Sequence, residues 1–142
     1  MRLKVCGMTG IAQLKELETI GVDFAGLIFY PQSPRYAMKF GLTPELLKQE
    51  KLRINRVGVF VNEEQDTVLR IVDKWKLDMV QLHGEEAPGH LPLGHLAIKA
   101  FRVGPDFSAP KMEEHLVRAW LLDAFVPEQR GGYGPSFRGL HC

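Results

Sequence analysis

The sequence predicts an α/β fold built on a parallel sheet of about six βα units. Three observations carry that expectation. Short apolar runs recur at intervals of roughly 20 to 30 residues, helical or loop-like stretches separate them, and some runs are apolar almost throughout, as strands covered on both faces are. Arg2-Leu3-Lys4-Val5 alternates polar and apolar residues as a strand does, Gly7 permits a tight turn, and Thr9 or Gly10 caps a helix carrying Ile11, Leu14, Leu17 and Ile20. Gly21 closes that helix, and Phe24 to Phe29 is the second strand. A longer loop follows from Tyr30 to Phe40, where Pro31 and Pro34 exclude helix.

Thr43-Pro44 is a cap followed by a first-turn proline, so a second helix runs through Leu46 and Leu47. Arg56 to Val61 is the third strand. Asn62 is expected to cap the next helix, with Gln65 reciprocating and Val68, Ile71, Val72 and Trp75 on its apolar face. Asp78 to Gly84 is the fourth strand, and Pro88, Gly89, Pro92 and Gly94 break any helix behind it. Ala97 to Phe101 is the fifth strand, a helical patch covers roughly Lys111 to Val117, and Ala119 to Ala124 is the sixth strand. Residues 126–142 form an irregular glycine-rich tail, and 1–142 read as one domain. Both a doubly wound open sheet and part of a (β/α)₈ barrel fit this rhythm.

A net charge of +1 with scattered basic residues gives no footing for nucleic acid or an acidic membrane surface. No apolar run approaches the ~18 residues of a membrane span, and the first residues resemble a charged strand rather than a secretory signal. Cys6 and Cys142 lie at opposite ends of the chain, which fits a reducing compartment and a cytoplasmic location. His83, His90, His95, His115 and His141 have no spacing that converges on a metal ion.

In both architectures ligands gather at the C-terminal ends of the strands, and Cys6, Arg35, Gln81, His83, Lys99 and Asp123 all fall at or just past such ends. Cys6 stands between a strand end and a helix N-terminus, where nearby N–H groups favour a thiolate; a buried cysteine acting as a small hydrophobe is the plain alternative. Asp123 tops an apolar run, which favours a protonated carboxyl, but Asp after a strand is also an ordinary helix cap. Arg35 can grip a carboxylate with two parallel hydrogen bonds, or be a solvated loop residue. Gln81 and His83 can line a ligand pocket, and a histidine at a strand end is as often structural. Lys99 reads equally as a solvated terminus, and Met79 and Phe101 as core.

Lys4-Val5-Cys6-Gly7-Met8-Thr9, Ser33-Pro34-Arg35, Val57 to Asn62, Val80-Gln81-Leu82-His83-Gly84 and Leu121-Leu122-Asp123, in that order, resemble the phosphoribosylanthranilate isomerase family of tryptophan biosynthesis. The resemblance spans residues 3 to about 137 and implies a (β/α)₈, or TIM, barrel. It further implies an aldose–ketose (Amadori) rearrangement of N-(5-phosphoribosyl)anthranilate to 1-(2-carboxyphenylamino)-1-deoxyribulose 5-phosphate, with no metal and no organic cofactor. Carried over by motif, Asp123 corresponds to the acid that opens the sugar ring, Cys6 to the base that removes the C2 proton, and Arg35 to the residue that holds the anthranilate end. Gln81, His83 and Gly132 fall among the substrate-binding positions. The partner implied is the phosphorylated sugar–anthranilate substrate.

Gly131-Gly132-Tyr133-Gly134-Pro135-Ser136-Phe137 is similar to the family's Gly-Gly-x-Gly-Lys-Thr-Phe segment, with Pro135 where lysine is usual. Beyond Phe137 the sequence departs from the family pattern, and a full barrel takes ~200 residues or more. The expectation is therefore an incomplete barrel, truncated at its C-terminus. Such a chain would lack the phosphate-binding loops, have impaired activity and self-associate through open sheet edges. A non-catalytic partial barrel serving as an oligomeric or interaction module is the alternative.

Overall fold

The computed structural model describes residues 1–91 and 96–124. The apolar runs become six strands, β1 (Lys4–Cys6), β2 (Phe24–Ile28), β3 (Asn55–Phe60), β4 (Met79–Leu82), β5 (Ala97–Val103) and β6 (Ala119–Ala124). They form one parallel sheet in the order β1-β2-β3-β4-β5-β6. A doubly wound sheet reverses its strand order at a switch point. Here each strand lies beside its sequence neighbour throughout, so the winding is that of a barrel.

Curvature is visible in the side chains. Lys4 Nζ on β1 donates to Gln81 Oε1 on β4 at 2.6 Å, although strands three places apart in a flat sheet stand ~14 Å from one another. His83, just past β4, meets Asp123 of β6 at 2.9 Å. Both contacts lie on the same face of the sheet, which is therefore concave.

Strand register assigns every residue to one face or the other. Cys6 pairs with Gly26, Gly26 with Val57, Val59 with Gln81, Gln81 with Ile98 and Arg102 with Asp123. These residues share the concave face with Lys4. Alternating positions, including Ala25, Leu27, Phe60, Val80 and Leu82, face outward into the main core with helix residues Leu14, Leu17, Leu47, Val68 and Trp75. Phe29 anchors this layer, stacked on Phe60 with ring centroids 5.4 Å apart and edge-on to Trp75 at 5.1 Å.

The helices follow the sequence with local differences. Helix α1 (Ile11–Thr19) starts from Gly10 and buries Leu14 and Leu17, whereas Ile20 is the C-cap and is left exposed. Helix α2 (Pro44–Gln49) is capped by Thr43, whose Oγ1 accepts from the Leu46 N–H at 3.2 Å, with Pro44 in the first turn. Helix α3 (Gln65–Trp75) begins from Glu64, so Asn62 is not its cap. Asn62 sits at φ 50°, in the left-handed region that asparagine tolerates, and its Oδ1 accepts from the Glu85 N–H at 2.7 Å. Its side chain ties two loops together instead. The patch near Lys111 is a short helix, α4 (Ala109–Glu113), that stops well before Val117. Residues 37–40 of the predicted loop form a 3₁₀ turn. The glycine-rich tail, including Gly132, lies outside the described residues.

Lys99 is neither solvated nor part of the concave face. It points outward from β5, is 3% exposed, and donates to Glu86 Oε2 at 2.8 Å and to the Gly84 carbonyl at 2.7 Å. Glu86 in turn accepts from the Asn62 N–H at 2.9 Å and from the Gly84 N–H at 3.0 Å. Burial pushes the Glu86 carboxyl up, but the Lys99 ammonium and the Asn62 amide outweigh it and hold it below the ordinary value of 4.5. The loops after β3 and β4 are thus fastened to β5 by one buried ion pair.

Glu86→Gln leaves Lys99 buried without its counter-charge, and urea unfolding at neutral pH should show a loss of about 3–5 kcal/mol. Because the folded carboxyl titrates below its unfolded value, its contribution is complete above 4.5 and is lost as pH falls through the lowered folded value. The gap between wild type and Glu86→Gln should therefore close in acid, which the same titrations repeated at falling pH will show.

Candidate active site

Cys6 is the last residue of β1 and is 7% exposed, packed with Ile28, Val59 and Tyr30 on the concave face. Residues 7–10 separate it from α1. Its position depends on Gly26 next to it on β2, since a Cβ there would collide with Cys6 Sγ and stand 2.9 Å from its Cβ. Gly7 turns the chain immediately after β1 at φ 83°, and its N–H donates to the Gly26 carbonyl at 3.0 Å. The Arg35 side chain lies over that turn, because a Cβ on Gly7 would come within 2.7 Å of Nη1 and 2.9 Å of Cζ. Arg35 is half-buried, and its backbone N–H donates to Oγ of the buried Ser33 at 3.2 Å. The Tyr30 to Phe40 loop thereby brings a guanidinium to the residue that follows the thiol.

The other side of the concave face carries a chain of hydrogen bonds. Gln81 is fully buried; Oε1 accepts from Lys4 Nζ at 2.6 Å and Nε2 lies 2.8 Å from His83 Nδ1. His83 is 3% exposed, and its Nε2 lies 2.9 Å from Asp123 Oδ2. Asp123, near the end of β6, keeps 15% of its side chain exposed.

Cys6, Arg35, Gln81, His83 and Asp123 are all gathered at the C-terminal side of the sheet. Lys99 is excluded by its facing, and Gly132 lies outside the described residues. Sequence reasoning did not single out Lys4, yet its signal was present: it stands two residues before Cys6 on one strand and so shares its face.

A hollow of about 560 Å³ opens beside His83, over the ends of β4 and β5, with Phe101, Arg102, Phe107 and His115 in its wall. That is ample for a small-molecule ligand, but outward-facing Lys99 and Lys111 of α4 line it while Cys6, Arg35, Gln81 and Asp123 do not, so it is distinct from the concave face that carries the thiol and the acid. Burial holds the His115 imidazole below its ordinary value, and the Lys99 ammonium adds to the effect. Met79 lines a second cavity of about 600 Å³ at the N-terminal ends of the strands. Both Met79 and Phe101 are half-buried cavity residues rather than closed core. Among the described residues no group of three or more His, Cys, Asp or Glu is arranged to hold a metal ion. No helix among them is long and apolar enough to cross a membrane.

Residues 3–138 match the family model for N-(5'-phosphoribosyl)anthranilate (PRA) isomerase. The chain belongs to this family. It is 37% identical to the N-(5'-phosphoribosyl)anthranilate isomerase of Citrifermentans bemidjiense, over 99% of its own length and 68% of that relative. It is 38% identical to that of Azotobacter vinelandii, over 96% of this chain and 68% of the relative. The crystal structure of the Thermus thermophilus enzyme superposes with a TM-score of 0.74 at 32% identity, covering 89% of this chain and 64% of that one. The Thermotoga maritima enzyme gives 0.68 at 33% identity, covering 97% and 68%. A third structure, of a phosphoribosyl anthranilate isomerase in complex with reduced 1-(o-carboxyphenylamino)-1-deoxyribulose 5-phosphate, gives 0.64 at 33% identity, with coverage of 88% and 66%.

Phosphoribosylanthranilate isomerisation in tryptophan biosynthesis is thus the function supported by family and relatives, and the barrel is the fold they share with the chain. The expected alternative, a non-catalytic interaction module, finds no support in these relatives, which are all named as the enzyme. Nor do they support the expectation of impaired activity.

Gly26→Ala aims a methyl at the thiol and should lower turnover by about tenfold or more, with a stability loss of about 1–3 kcal/mol from overpacking. Gly7→Ala adds the strain of a left-handed alanine, about 1–2 kcal/mol, and pushes Arg35 away, so its mark should be a raised KM. Steady-state kinetics beside thermal melts separate the two outcomes.

Proposed function

We propose that the concave face performs the family's rearrangement with Asp123 as acid, Cys6 as base and Arg35 as the clamp on the anthranilate carboxylate. The substrate class comes from the family match and from the structure of a relative holding the reduced product analogue. What carries the assignment within this chain is that Cys6 and Asp123 stand at the same end and on the same face of one curled sheet.

In the first step Asp123 protonates the furanose ring oxygen as the bond from C1 to that oxygen breaks. The anilino nitrogen lone pair fills the vacated position as a C1=N iminium. In the second step the Cys6 thiolate takes the proton from C2, and the freed electron pair forms C1=C2 while the nitrogen becomes neutral. The enolamine then tautomerises to the ketone, C2 being oxidised and C1 reduced, so no external electron acceptor enters. Arg35 supplies two parallel donors to the ring carboxylate, and His83, 2.9 Å from Asp123 on the concave face, belongs to the same reading as a substrate-binding residue. Gly132 belongs to the same reading as a substrate-binding glycine.

Cytoplasmic residence accompanies this proposal, supported by the biosynthetic role of the family. Self-association is also part of it. Among the described residues β1 and β6 each pair on one side only, and Trp120 and Leu122 on β6 are 49% and 58% exposed. Sedimentation showing a monomer at every concentration would remove that element alone.

Anthranilate-ribose fluorescence during turnover tests the chemistry. Cys6→Ser and Asp123→Asn should each reduce kcat by about 10²–10⁴-fold, the range of a general acid or base. Arg35→Lys, which cannot fork onto a carboxylate, should act mainly on KM. Turnover that survives loss of both Cys6 and Asp123 would refute the assignment.

A further inference from the structure

We propose that Lys4, Gln81 and His83 form a positioning relay that fixes His83 as the Nε2–H tautomer and aims that N–H at Oδ2 of Asp123. This deepens the isomerase reading and rests on Asp123 being its acid. It is argued from what each group can donate or accept.

A lysine ammonium has three donors and no acceptor. Its 2.6 Å contact with Gln81 therefore fixes the amide with Oε1 toward Lys4. The NH₂ end, which only donates, must then face His83 Nδ1 at 2.8 Å. Nδ1 accepts and carries no proton, so the ring proton sits on Nε2, which donates to Asp123 Oδ2 at 2.9 Å. A single cation on β1 thus sets the polarity of every bond as far as β6. Gln81 is fully buried and His83 is 3% exposed, so no water stands ready to replace a broken link.

Consequences for the acid follow. Oδ2 is held as an acceptor of the Nε2–H. When the acid gives its proton to the ring oxygen, that N–H, already pointed at Asp123, stabilises the carboxylate that remains, with no reorganisation at the moment of transfer. Gln81 touches neither substrate nor reacting atoms on this account. It is a positioning residue acting through His83, and Lys4 acts through Gln81.

The decisive variant is Gln81→Glu. It keeps size and the tie to Lys4 but replaces the amide donor with a carboxylate, which demands a proton on Nδ1. Expected results are a fall in kcat of about ten- to a hundredfold, the scale of one lost hydrogen bond to a charged group, a KM changed less than about twofold, and ¹⁵N shifts of His83 that move from the Nε2–H pattern to one with Nδ1 protonated. Lys4→Met should lower kcat in the same direction, and Lys4→Arg, which keeps a donor-only cation, should restore most of it.

An Nδ1–H tautomer in the wild-type chain, or full kcat in Gln81→Glu, overturns the relay. Should Gln81→Glu not fold, the wild-type ¹⁵N shifts and the Lys4 pair decide the matter. The NMR measurement needs no turnover, so it judges the relay apart from the chemistry. A failure of the isomerase reading would instead appear as turnover indifferent to Asp123→Asn.

Discussion

Gln81 is buried on the concave face of a parallel sheet, and a buried amide must have both of its ends satisfied. That requirement organises the interior. One end is met from β1 and the other from the residue after β4, which itself reaches β6. Strands that are not neighbours in the sheet are thereby held at fixed separations by polar contacts, and the curvature that makes one concave face of Cys6 and Asp123 is the same curvature that lets those contacts form.

The outward face is held by different forces. Leu14, Leu17, Leu47, Val68 and Trp75 from three helices cover Ala25, Leu27, Phe60, Val80 and Leu82 from the strands, and the fully buried aliphatic side chains among them each contribute about 1.5–3 kcal/mol. Into this apolar layer the chain sets one ion pair, Lys99 with Glu86, which costs desolvation and is compensated by amide donors from Asn62 and Gly84. It settles the loops after β3 and β4, and with them the position of His83.

Most of the architecture could be read from the residues: Phe24 to Phe29, Val57 to Val61 and Ala119 to Leu122 are nearly unbroken apolar runs, Arg2 to Val5 alternates, and a strand forms at each of the six stretches so marked out. Single-residue features were less legible. Asn62 has the composition of a helix cap, but a positive φ and a partner 23 positions away take it elsewhere, and neither is encoded locally. Glu86 follows Gly84 and Glu85 with no local sign of burial, and its partners Lys99 and Asn62 come from other strands and loops. Face assignment was the other gap. Whether a strand-end residue such as Lys99 looks into the hollow or away from it depends on register, which periodicity within a single strand cannot supply. Cys6, Arg35 and Asp123 could be named because they lie in recognisable motifs. Lys4 shares a strand face with Cys6 and was legible to that extent, but its partner on β4 was not.

The division of labour between the two faces leaves this chain with separable properties. Grease lies on one side of the sheet and the proton-handling groups on the other, with each strand contributing alternate residues to both. Sequence drift among the outward residues can raise or lower the melting point while the geometry around the thiol and the acid is preserved. An engineer seeking a hardier catalyst would mutate odd or even positions of a strand, but not both.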